Sequence, residues 1–235
     1  MNKRFLLVHG SCHGAWCWRD IIAEIEHLGH SAEAIDLPGH GQDKTPLAEV
    51  TLDLYAAAIL EAVERNAAFG PTIVVGHSMA GYAITAAAER APENIAQLIY
   101  VCAYAPISGK SLADMRREGP RQLLADAIVT SPDRVSFQFD PAKVEAKFYH
   151  DCPDGTLAYA QAHLTPQPVL PQETPLRVTE RSGKVPKRYI RCADDRAIPP
   201  EYQVTMSEGW ADVFTLDCSH SPFFAQPRAL AKALI

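Results

Sequence analysis

The chain has 235 residues, of which 47% are hydrophobic, and a net charge of −6. That length suits one α/β domain over 1–235 with a large core, and the negative balance argues against a nucleic-acid partner, because phosphate binding needs a basic surface. No stretch approaches the ~18 apolar residues of a membrane helix.

In chain order, Lys3 and Arg4 precede Phe5-Leu6-Leu7-Val8. A secretory leader needs roughly 7–15 apolar residues. This run stops at His9-Gly10, so it reads as a strand, and a cytoplasmic protein is expected. The following loop, His9-Gly10-Ser11-Cys12-His13-Gly14, lacks both G-x-G-x-x-G and a Walker lysine, which makes it a poor phosphate cradle. Ile21, Ile22, Ile25 and Leu28 share one helical face, closed by Gly29. Tyr55, Ile59, Ala62 and Val63 mark a second. The run Ile73-Val74-Val75 leads into Gly76-His77-Ser78-Met79-Ala80-Gly81, and residues 79–90 read as an Ala-rich helix. Further apolar runs lie at 98–101, 189–190 and 213–216. None of these runs alternates, which suits a parallel sheet buried on both faces. Strands alternating with helices predict a doubly wound sheet, with ligands bound beyond the carboxyl ends of its strands.

Residues 104–185 break the rhythm, and Pro166, Pro168, Pro171 and Pro175 crowd one stretch. This segment reads as a helical cap inserted between two core strands, with short helices near 111–126 and 141–149. Its apolar residues (Met115, Leu123, Leu124, Phe137, Phe139, Phe148, Tyr149) are suited to covering a pocket. The six cysteines form no C-x-x-C pair. They read as buried free thiols in a reducing compartment, and their spacing does not suggest zinc.

The segment 76–81 fits a nucleophile elbow, in which a serine on a strained strand-to-helix turn is lifted above the sheet edge. Gly76 and Ala80 take the two flanking small positions; Ala80 departs from the strict G-x-S-x-G pattern. A serine hydroxyl is a weak nucleophile at neutral pH. It needs a histidine to take its proton and a carboxylate to orient that histidine. In the order Ser, acid, His, the base follows the last strand, which selects His220. The acid follows the preceding strand, where Asp194 and Asp195 both qualify; Asp217 is a third candidate by proximity to His220. His77 adjoins the nucleophile, but neighbours on a tight turn are expected to point apart. The oxyanion donors would be the N–H of Met79 and one from the first loop, Ser11.

These motifs resemble the plant methylesterase and hydroxynitrile lyase branch of the α/β-hydrolases. The resemblance is carried by His9-Gly10-Ser11-Cys12-His13-Gly14-Ala15-Trp16-Cys17-Trp18, Asp36-Leu37-Pro38-Gly39-His40-Gly41, the elbow, and Asp195-Arg196-Ala197-Ile198-Pro199-Pro200-Glu201-Tyr202-Gln203. It covers both ends of the chain well and the cap weakly. It implies an α/β-hydrolase fold and selects Asp195, five residues before the proline of Pro200-Glu201. The lyases carry a threonine where this chain has Gly10 and a lysine where it has Ser221, so the resemblance is to the esterase branch.

The expected activity is hydrolysis of a small or medium hydrophobic ester, with no metal or cofactor required. Gly10, Trp16 and Tyr104 are expected at the substrate, with Tyr82 another possible lining residue. An amidase, lactonase or thioesterase would use the same triad. A cyanohydrin-cleaving lyase and a triad-bearing ligand sensor are the readings outside hydrolysis. The plant relatives imply a homodimer.

Overall fold

Phe5, Leu6, Leu7 and Val8 have no exposed surface, and only a strand at the centre of a covered sheet offers such an environment. In the computed structural model, which describes residues 2–235, they belong to β1 (Arg4–Val8). The sheet is completed by β2 (Ser31–Ile35), β3 (Thr72–His77), β4 (Ile95–Val101), β8 (Lys187–Cys192) and β9 (Val213–Leu216). The strand order is β2-β1-β3-β4-β8-β9 and every pairing is parallel. Side chains alternate across a strand. Leu6, Val8 and Val74 therefore join the core under α2 (Leu52–Asn66) and α3 (Ala80–Arg90), while Phe5, Leu7 and Val75 face α1 (Arg19–His27) and α10 (Pro227–Leu234). This is the doubly wound sheet expected from the sequence.

The face predicted for the first helix is narrower than expected. Ile21 and Ile25 are buried, Ile22 is half-buried and Leu28 is 39% exposed. Leu28 sits at the C-cap, just before Gly29, whose φ of +82° ends the helix in the left-handed region.

Between β4 and β8 lie α4 (Leu112–Glu118), β5 (Ile128–Thr130), β6 (Ser136–Phe139), α5 (Thr156–His163), β7 (Gln167–Pro168), α6 (Leu170–Glu173) and α7 (Glu180–Gly183). A capping box starts α4, in which the Ser111 hydroxyl accepts from the Asp114 N–H and the Asp114 carboxylate accepts from the Ser111 N–H. Gly119-Pro120 follows it, so the helix expected near 111–126 stops at Glu118. The one expected near 141–149 is a single π-helical turn, Glu145–Tyr149. Strands β5, β6 and β7 form a three-stranded antiparallel sheet that sequence reasoning did not anticipate.

The chain leaves β1 toward β2 on one side and returns to β3 on the other, so the strand order reverses between β1 and β3. Crevices at the carboxyl ends of such a switch point are where open α/β sheets bind ligands. The loop after β1 and the turn after β3 both open there.

Candidate active site

The turn after β3 is strained at one residue. Ser78 has φ +55°, and α3 begins two residues later. The Ser78 N–H donates to the Val101 carbonyl at 3.1 Å, and the Ser78 carbonyl accepts from Tyr104 N–H at 3.1 Å and Gly81 N–H at 3.3 Å. Backbone approaches decide which positions must be small. A Cβ at Gly76 would stand 2.9 Å from the Ala80 carbonyl oxygen, and one at Gly81 would stand 2.1 Å from that of Tyr104. Neither glycine can take a side chain without the backbone moving, and the approach is tighter at Gly81.

His220 and Asp195 meet from the ends of β9 and β8, and both are buried. His220 Nδ1 donates to Asp195 Oδ2 at 2.6 Å. Asp195 Oδ1 accepts from the N–H groups of Ala197 and Ile198 at 2.7 and 2.8 Å, and Oδ2 also accepts from Gln203 Nε2 at 2.8 Å. Gln203, on α8 (Pro200–Met206), is itself held by the Cys192 N–H, which donates to its Oε1 at 2.9 Å. Asp194 faces outward, bonded to His150 Nε2 at 2.9 Å and Arg196 at 3.4 Å; the hydrogen bond from His150, and then the charge of Arg196, lower its pKa. Asp217 is exposed.

Ser78, Met79, His220 and Ser11 line one cavity with His13, His77, Tyr104 and Gln172. Neither the Ser11 nor the Met79 N–H is used in a hydrogen bond among the described residues. The Ser11 hydroxyl accepts from Gln172 Nε2 at 2.7 Å. The cap closes the other side with Leu112, Leu124, Phe137, Phe139 and Phe148. The space between the walls is about 420 Å³, but only about 20 Å³ of it would hold the centre of a water molecule. The cavity is a slot, not a chamber.

Several expectations change here. Trp16 does not line the slot; it stacks on His13 with ring centroids 5.3 Å apart and packs against Phe224 and Tyr159. Its apolar surface is spent supporting the wall behind His13. Tyr82 is also away from the slot, donating its hydroxyl to the Lys110 carbonyl at 3.1 Å. Gly10 acts through backbone proximity, since a Cβ there would lie 2.7 Å from His77 Nδ1 and 2.9 Å from Ser78 Cβ. Among the cap residues, Met115 is buried in the core beneath α2 and α3, and the Tyr149 hydroxyl donates to His13 Nε2 at 2.7 Å. His77 packs against His220. Its ring lies 4.6 Å from that of His220, and its Nε2 bonds the His220 carbonyl at 2.8 Å. Gln172, Gln203 and Arg116, which also lines the slot, were not singled out from sequence. Only the spacing of Gln203 within the Pro-Glu-x-Gln segment offered a signal.

His77, Cys102 and His220 bring ligand-type atoms within 4.8 Å of one another. They are poorly suited to a metal. Burial pushes the Cys102 thiol up to about 12. A thiol ligand must be deprotonated. Burial also holds His13 at about 3 and His77 well below the ordinary histidine value, so both are neutral at physiological pH.

A family model described as "Alpha/beta hydrolase family" matches residues 5–233. The chain belongs to this family. The hydrolase is 33% identical over 255 residues to Esterase PIR7B of Oryza sativa subsp. japonica, covering all of this chain and 95% of the relative. It is 30% identical over 248 residues to Methylesterase 7 of Arabidopsis thaliana, again covering 100% and 95%. Among solved structures it superposes on polyneuridine aldehyde esterase with a TM-score of 0.89 at 26% identity, covering 100% and 98% of the two chains. A pyrethroid hydrolase from Sphingobium faniae JZ-2 gives 0.87 at 25%, covering 100% and 96%.

Proposed function

We propose that this hydrolase cleaves carboxylic esters through a covalent acyl-enzyme, with Ser78 as nucleophile, His220 as general base and acid, and Asp195 as the orienting carboxylate. The observation that carries the proposal is the buried 2.6 Å bond from His220 Nδ1 to Asp195, beside a serine held at positive φ in the same slot. The esterase and methylesterase names of its relatives agree with it. Fold alone would not identify the activity, because unrelated activities share this architecture.

In the proposed reaction, Ser78 Oγ attacks the ester carbonyl as its proton passes to His220 Nε2. Asp195 stabilises the imidazolium without taking its proton. The N–H groups of Ser11 and Met79 receive the developing oxyanion, each donor worth roughly 2.7–4 kcal/mol in comparable sites. His220 returns the proton to the departing alcohol. Water, deprotonated by His220, then attacks the acyl-enzyme, releasing the carboxylic acid and restoring the serine. The apolar cap residues support a small or medium substrate, with Tyr104 against it and Gly10 leaving room for the nucleophile. The residues at 10 and 221 support the ester reading over carbon–carbon cleavage, since Ser221 offers no charge to a departing cyanide.

The cytoplasm is the proposed location, supported by six free thiols; no helix among the described residues is long and apolar enough to cross a membrane. Relatives include a chloroplastic methylesterase. The homodimer implied by the plant family is checked by sedimentation. The central test is hydrolysis of a panel of methyl and p-nitrophenyl esters by the wild type and Ser78→Ala. Turnover that disappears in a folded Ser78→Ala supports the proposal, and turnover that survives refutes the nucleophile.

A further inference from the structure

The slot is apolar except for its catalytic end and one cation. Arg116, on α4, lines it, and also lines the neighbouring surface pocket with Arg117, Arg121 and Tyr202. Its neighbours on the cap are paired. Arg117 bonds Asp114 and Glu173 at 3.4 Å each, and Arg121 grips Glu201 with two bonds of 2.6 and 2.7 Å. Arg116 differs. Among the described residues its guanidinium has no hydrogen-bond, ion-pair or ring partner. Glu173, whose field reaches it, is already committed to Arg117.

Arg116 is half-buried. A cation partly withdrawn from water without a counter-charge gives up part of its hydration, which a fully solvated surface arginine keeps. Burial lowers the pKa of this guanidinium from its usual value, and nearby Arg117 adds to the effect. The position would be better filled by a methionine or leucine if the slot received only neutral esters. A planar guanidinium in a narrow space matches a planar carboxylate through two parallel N–H···O bonds. A bulkier tetrahedral anion fits the slot less well.

We infer that Arg116 is a specificity-determining residue, and that the preferred substrates are esters bearing a second, ionised carboxylate, such as half-esters of dicarboxylic acids. This rests on the esterase reading for which end of the substrate meets Ser78. The apolar walls between Arg116 and Ser78 would carry the methylene or aromatic spacer.

The test compares monomethyl half-esters from succinate to suberate with their isosteric, uncharged methyl amidates, in which a carboxamide replaces the free carboxylate. At one or more spacer lengths the wild type is expected to favour the acid over the amide by about tenfold or more in kcat/KM, the scale of one charge-assisted pair. Arg116→Met should bring that ratio close to one, chiefly through KM, and Arg116→Lys should restore part of it. A ratio near or below one at every length in the wild type, or a ratio unchanged in Arg116→Met, overturns the inference. Calorimetry separates it from the esterase proposal. Ser78→Ala should bind the best half-ester more tightly than its amide, and adding Arg116→Met should remove the difference. If the wild type turns over neither ester, the esterase reading fails while this binding comparison still decides the role of Arg116; equal binding of acid and amide overturns it.

Discussion

Acidification should unfold this protein through its histidines. His9, His13, His40 and His77 are buried beneath the site and each is held neutral. His9 Nδ1 bonds the Gly10 carbonyl at 2.8 Å while its Nε2 accepts from Leu37 N–H at 3.0 Å. His13 bonds the Ser11 carbonyl and the Tyr149 hydroxyl at 2.8 and 2.7 Å. Burial lowers the pKa to about 4 for His9 and about 3 for His13, and further histidines nearby oppose a charge on His13. In the unfolded chain each would protonate near the ordinary value of about 6.5. Below that pH the unfolded state binds protons that the native state refuses, so stability falls as pH falls, until the native values are reached. By about pH 5 His9 and His13 each cost about 2 kcal/mol, and His40 and His77, also held neutral by burial, add to the loss in the same direction. A domain's whole stability is about 5–15 kcal/mol. The depressed carboxylates, such as Asp194 and Glu89, lose their contribution only as pH falls below about 4.5 and lie outside this window. Urea denaturation at steps from about pH 7.5 to about pH 5 should show the midpoint dropping steeply with little change in slope m. His13→Gln should be less stable at the upper end but lose about 2 kcal/mol less on acidification. Stability constant to within about 1 kcal/mol across the range would refute the reasoning.

Three further outcomes are expected. Gly10→Ala should place a Cβ 2.7 Å from His77 Nδ1. That ring is pinned to the His220 carbonyl, so kcat should fall about 10²-fold through misplacement of the base, by steady-state kinetics on a folded variant; near wild-type kcat would show that the ring yields freely. Gln203→Leu should leave Cys192 N–H unpaired and remove one donor from Asp195. The expected cost is about 1–3 kcal/mol of stability, read by denaturation, with a lower kcat; an unchanged midpoint would remove Gln203 from the support of the acid. Thiol titration with a disulfide reagent should find at most Cys152 in the native protein and all six cysteines after unfolding, because the other five are buried. Rapid reaction of two or more native thiols would contradict that burial.

The parts of this site that were legible in sequence lie at strand ends, where local pattern and position in the fold coincide. Ser78 and His220 follow apolar runs that match β3 and β9. Asp194 and Asp195 could not be separated by their own surroundings in the chain. The structure separates them by donors at Ala197, Ile198 and Gln203 that all converge on one carboxylate. The edge strand β2 was missed because Ser-Ala-Glu-Ala-Ile has no apolar run; its residues are all half-buried. The cap sheet was missed for a different reason. It pairs Phe137 with Gln167 across the intervening α5, and no local periodicity encodes such a partner.

His77 and Arg116 mark the same limit from opposite directions. The ring of His77 is placed by Gly10 and His220, which come from other strand ends. Arg116 lies in the charged run Met115-Arg116-Arg117-Glu118, where the default reading is a solvated helix face. Its distinction is that Arg117 and Arg121 take the neighbouring carboxylates while it stays unpaired among the residues lining the slot. The proposed catalytic residues can be read from local pattern because the chemistry demands particular residue types at particular strand ends. Substrate preference depends on which charges remain unpaired after the cap folds, a property of the assembled pairs that no single segment carries.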